Sequence, residues 1–256
     1  MAKGNDGNLL QHGIELAAVS AIASKPLWLT CTHSMAPRES CPEPNRDRRL
    51  RHWLNTQFGT PSVAAAYRLT NATLDSYPNT SELIAATFGD ENIRGDLFEV
   101  CEDKICDLHA RWSQSELRVH GLSWRQGLSR IQIPPPDSGW LFTMDPMTFV
   151  CNTEDVVDDN KLRRTDVDRL IGFFHTIPGF GSSWVITIFC FELRRGPGTN
   201  CYQLFLDEMQ RMSRAMTLQL ATLEVSYGNP HVAAVFSASG DIIDRIRWEW
   251  ETLHGV

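Results

Sequence analysis

"GWLFTMDPMTFV", residues 139–150, is the stretch on which the reading of the fold turns. Trp140, Leu141 and Phe142 form an apolar run without alternation, which predicts a strand buried on both faces. Asp145-Pro146 follows at once. An acid at the carboxyl edge of such a strand stands where open α/β sheets bind ligands, and Pro146 fixes the chain direction after it.

The rest of the chain supplies neighbours for this strand. Upstream, "NLLQHGIELAAVSAIAS" (8–24) has helical apolar spacing, and "KPLWLTCTH" (25–33) reads as a short buried strand. "GDLFEVCED" (95–103) and "ELRVHGLSW" (116–124) predict a second and a third strand around a helix at 106–114. Downstream, "TDVDRLIGFFHTI" (165–177) predicts a helix and "WVITIFCFEL" (184–193) a fully buried strand. A helix at 201–216, a hairpin at 218–239 turning at Gly-Asn-Pro, and a last amphipathic helix at 241–253 complete the chain. Strands alternating with helices predict a mostly parallel α/β sheet with helices on both faces and one antiparallel hairpin strand at its end. Residues 42–92, with loops at "NRD" and "SYPNTSE", predict a mostly helical insertion within a single domain spanning 1–256.

Bulk properties bound the partners. The chain has 256 residues, 42% of them hydrophobic, and a net charge of −7. That excludes a protein that grips phosphates over its whole surface. Local basic runs remain, at "RDRRLR" (46–51) and "KLRR" (161–164). Seven cysteines without regular spacing, behind an opening that lacks an apolar core, predict free thiols in a reducing cytosol. No apolar run approaches the roughly 20 residues that span a bilayer. Cys31, His33 and Cys41 have poor metal spacing and no fourth ligand, so no metal is expected.

His33, Glu99, Ser123 and Asp145 fall at four successive strand ends. With the element order, they carry a family likeness. "GNDGNLLQH" (4–12), "TCTHSMAP" (30–37), "YPNTSELIA" (77–85), Glu99, "HGLSW" (120–124) and "MDPMTF" (144–149) follow one another as do the motifs of class I S-adenosylmethionine-dependent methyltransferases. Within that class the chain resembles the bacterial large-subunit ribosomal RNA adenine-N6 methyltransferase family, over nearly its whole length. Ser34, Met35 and Pro37 replace the glycines of the first loop. Leu122 replaces the acid after the third strand. Met147 and Thr148 replace the proline and aromatic of Asp-Pro-Pro-Tyr.

The resemblance implies a Rossmann-like methyltransferase sheet and S-adenosyl-L-methionine as cofactor, held by His12, His33, Glu99, Leu122 and Ser123, with Thr80 or Ser81 at its amino-acid end. It implies that Asp145 and Pro146 carry catalysis, the acid drawing the adenine amino group toward the methyl donor. Met147 and Phe149 would wall the base pocket. The run of Arg46, Arg48, Arg49 and Arg51 is expected to contact a nucleic acid, RNA before DNA. Asp145 before proline is also an ordinary turn residue, and a lone histidine is usually structural. A catalytically degenerate cofactor-binding partner or sensor stays open, as does a small-molecule or protein methyltransferase of the same fold.

Overall fold

A computed structural model describes residues 6–22, 26–39, 69–71, 73, 76–146, 148–150, 158–191, 193, 201–227 and 229–254. Its strands are β1 (Leu27–Cys31), β2 (Arg38–Glu39), β3 (Tyr77–Pro78), β4 (Ile93–Glu99), β5 (Glu116–Gly121), β6 (Gly139–Met144), β7 (Thr148–Val150), β8 (Lys161–Arg163), β9 (Trp184–Cys190), β10 (Gln219–Tyr227) and β11 (Asn229–Ser237). Its helices are α1 (Asp6–Ile22), α2 (Thr80–Phe88), α3 (Glu102–Trp112), the short α4 (Trp124–Gly127), α5 (Arg164–His175), α6 (Cys201–Met216) and α7 (Gly240–His254).

Seven strands form one sheet in the order β5-β4-β1-β6-β9-β11-β10. β5, β4, β1, β6 and β9 pair in parallel. β11 runs antiparallel to both β9 and β10. This is the expected Rossmann-like methyltransferase sheet.

Period-2 alternation divides the core. On β1, Leu27, Leu29 and Cys31 face one side and Trp28 the other. On β6, Leu141 joins the first side, while Trp140, Phe142 and Met144 join the second. Helices α1, α2, α3 and α7 cover the first face; α4, α5 and α6 cover the second. Every residue of β6 is buried, as an apolar run covered on both faces requires. Trp140 meets Trp184 edge-on at 5.0 Å, and its indole N–H donates to Thr30 Oγ1.

Several local readings change. β4 stops at Glu99 because the Glu99 carboxylate accepts the amides of Val100 and Cys101, which turns the chain into α3. "SYPNTSE" is more than a loop. Tyr77 and Pro78 pair with Glu39 and Arg38, and α2 begins at Thr80 behind the N-cap Asn79. A two-stranded parallel pair of β7 and β8 follows the Asp-Pro motif. Of the expected insertion 42–92, the stretch 42–68 lies outside the described residues, and Arg46, Arg48, Arg49 and Arg51 with it; Met147 does too. Trp250 is buried in the core and Trp248 is exposed. Among the described residues, no helix is long and apolar enough to cross a membrane.

Candidate functional site

From β1 the chain goes on to β4 and β5 on one side of the sheet, while β6 and β9 lie on the other. The crevice between the carboxyl ends of β1 and β6 is therefore the topological switch point, where such sheets bind ligands. His33 comes to it from the end of β1, Asp145 from the end of β6, Gln11 and His12 from α1, and Asn79 and Thr80 from the start of α2. They line one cavity of about 20 Å³, room for a single water. Four residues expected at the site, His12, His33, Thr80 and Asp145, are thus brought together.

Each is fixed by identifiable partners. The His12 ring stacks on Tyr77, and its Nδ1 lies 3.3 Å from the Tyr77 hydroxyl. His33 Nε2 faces the main-chain carbonyl of Asp159 at 2.6 Å. A carbonyl only accepts, so Nε2 carries the proton and Nδ1 accepts from the Thr32 hydroxyl at 2.8 Å. Burial lowers the His33 pKa, so the ring is neutral. Asp145 is 7% exposed, and its negative charge, after burial, helps push the Cys190 thiol up.

One turn further along α1, Glu15 is buried at 1% exposure. It accepts from Thr143 at 2.5 Å, from Thr80 at 2.7 Å and from Gln11 at 3.2 Å. It thereby ties α1, α2 and β6 together behind the cavity. Burial raises its pKa from 4.5 to about 7, against the opposing pull of those three hydrogen bonds. Folding therefore favours the protonated acid: its stabilising contribution is complete below pH 4.5 and is lost as pH rises through about 7. The difference is roughly 3 kcal/mol at 1.36 kcal/mol per pKa unit. Urea denaturation of the wild type at pH 5 and pH 8 should show most of this loss, and Glu15→Gln should flatten it. An unchanged pH dependence in the variant would remove Glu15 as its source.

The other expected residues sit further along the edge. Glu99, buried at the end of β4, accepts from the Met35 amide at 3.0 Å through Oε2 and from Val100 and Cys101 through Oε1. Met35 has φ 58, a left-handed backbone that glycine adopts without penalty. Ser123 caps α4 and donates to Asp159 Oδ1 at 2.6 Å. Leu122 is half-buried in the core of the second face. Ser81 donates to Asn79 Oδ1 at 2.8 Å and is not among the cavity's lining residues. Phe149 is 2% exposed and meets Phe205 edge-on at 5.9 Å. The pairing of β7 with β8 directs its ring into the core, away from the base pocket expected for it. Pro146 follows Asp145 directly and is buried.

The donor set matches the groups of S-adenosyl-L-methionine. The Glu99 carboxylate ends β4, where a ribose diol would need acceptors. Polar groups of α1 and α2 face the switch point, and the buried Asp145 follows β6. The first loop lies across this set, with the Met35 amide on Glu99. These are the group types that S-adenosyl-L-methionine would need, at a site that holds a cavity of about 20 Å³ with the Met35 amide on Glu99.

Asn79, Glu15, Arg125 and Asp159 were not singled out from sequence. Asn79 followed by Glu82 at the third helical position is a readable N-terminal signature. Glu15 is a single acid inside an apolar helical run. Arg125 and Asp159 carry no local signal.

No family model and no curated protein matches the chain. Among solved structures, it is similar to protein LPL1258 of Legionella pneumophila str. Philadelphia 1, described with the family model DUF519, at 16% identity and TM-score 0.67 over 98% of this chain and 92% of that one. An rRNA methylase from Streptococcus thermophilus aligns at 8% identity and TM-score 0.40, over 89% of this chain and 95% of that one. A methyltransferase from Pyrococcus furiosus aligns at 12% identity and TM-score 0.33, over 62% and 69%. At 16% identity the likeness to LPL1258 speaks to the fold alone, an α/β architecture shared over nearly the whole of both chains.

Proposed function

We propose that this chain is an S-adenosyl-L-methionine-dependent methyltransferase acting on the N6 amino group of an adenine in a nucleic acid, RNA before DNA. The observation that carries the reading is Asp145: a buried acid at the end of β6, in the same switch-point cavity as His12, His33 and Thr80. When bound, the cofactor supplies a methyl group on a sulfonium. The chain's own residues orient the acceptor. Asp145 receives a hydrogen bond from the exocyclic amino group and so aims the nitrogen lone pair. Pro146 holds the direction of the chain beyond it. Glu99 receives the ribose hydroxyls after the Met35 amide leaves it. Thr80, held by Glu15 and Gln11, stands at the amino-acid end.

A second reading, a cofactor-binding protein without turnover, is favoured by one observation. Ser34, Met35 and Pro37 stand where glycines would keep the first loop open, and that loop closes on Glu99. One experiment separates the two. Wild-type protein is given S-adenosylmethionine with a labelled methyl group and offered total RNA, total DNA and lysate protein, and its affinity for S-adenosylhomocysteine is measured by calorimetry. Label in RNA is the expected result. Binding without label in any nucleic acid would sink the adenine reading and leave the partner, or a methyltransferase for another acceptor.

A further inference from the structure

His33, Glu99 and Ser123 all have partners within the chain, and for two of them the partner is the same residue. His33 Nε2 donates to the Asp159 carbonyl at 2.6 Å, and the Ser123 hydroxyl donates to Asp159 Oδ1 at 2.6 Å. His33 lies just past β1 and Ser123 just past β5, with β4 between those strands. Asp159 therefore spans the end of β4, the strand that closes in Glu99. This is the strip along which a nucleoside would lie with its ribose on Glu99.

Arg125 adds a charged anchor to Asp159. Arg125 donates to Asp159 Oδ1 at 2.6 Å, to the Lys161 carbonyl at 2.5 Å and to both oxygens of Asp166 at 2.8 Å. The anchor sits on α4, whose N-cap is Ser123. One rigid unit thus presents both the residue expected to meet a nucleoside and the clamp on the residue that covers it.

We infer that Asp159 is a built-in occupant of the nucleoside half of the site, taking the hydrogen bonds of His33 and Ser123 until a ligand displaces it. This inference rests on the cofactor reading above. Affinity is then reduced by the fraction of molecules in which Asp159 has swung away. Removing its side chain deletes the Ser123 bond and the charge-assisted Arg125 bond, while Arg125 keeps Asp166.

Calorimetric titration of full-length wild type and Asp159→Ala with S-adenosylhomocysteine tests this. The variant is expected to bind about tenfold more tightly, as an opening equilibrium of about ten to one in favour of the closed form requires. If the alanine variant does not melt cooperatively, Asp159→Asn takes its place; it keeps the shape and loses the charge, and at least about twofold tightening is required of it. Equal or weaker binding by a folded variant overturns the inference while the cofactor reading stands, and weaker binding makes Asp159 a ligand-holding residue instead. Absence of heat from both proteins at high micromolar ligand overturns the cofactor reading, and the inference falls with it.

Discussion

Asp145→Ala is expected to lower methyl transfer by at least about a hundredfold, the scale of a positioned acid–base group, while affinity for S-adenosylhomocysteine stays within a few fold. The expectation comes from where Asp145 stands. Its carboxylate ends a strand that is buried throughout, and the cavity it lines also receives His12, His33 and Thr80. A group that meets the acceptor and not the cofactor changes turnover without changing cofactor binding. Single-turnover transfer into RNA, measured beside calorimetry on the same preparation, reads both quantities. Equal losses of binding and turnover would place Asp145 in the cofactor site. Undiminished turnover would return it to the role of a turn residue before proline.

Arg125→Ala is expected to lower stability by about 3–5 kcal/mol, the usual cost of leaving buried charge without its partner. The Arg125 side chain is 7% exposed and faces Asp159 and Asp166, themselves 16% and 5% exposed. Its guanidinium also lies over the Trp124 ring. Among the described residues, the variant leaves the Asp166 carboxylate, at the start of α5, buried with the Arg163 amide as its remaining donor. Urea unfolding of wild type and variant gives the difference directly. Combining Arg125→Met with Asp166→Asn should recover part of the loss, since it removes the orphaned charge as well. A loss below about 1 kcal/mol would mean that water takes over the role of the guanidinium.

The large elements were readable because they depend on short-range pattern. The apolar runs at 139–144 and 184–190 are buried strands, and the helix at 201–216 has the bounds its spacing predicted. The three-residue strands β7 and β8 were not readable, because three residues are too few to show alternation. The early end of β4 at Glu99 depends on a side chain capturing its own following amides, which composition does not display. The N-terminus of α2 carried its signal in Asn79 and Glu82, within a stretch whose Tyr-Pro-Asn wording favours a loop.

The site divides along the same line. By itself the sequence determined that polar residues stand at four strand ends and that an acid-proline step follows an apolar strand. Periodicity and turn chemistry are local, so they are written in neighbouring residues. Only the tertiary structure decided which of those residues meet. His12, His33, Thr80 and Asp145 share a cavity because β1 pairs with β6, a choice made between segments more than a hundred residues apart. The tertiary structure also decided that Glu99, His33 and Ser123 face partners within the chain, Met35 and Asp159. Whether a polar group at a strand end meets a ligand or another part of its own chain depends on where distant loops come to rest, and no local pattern encodes that.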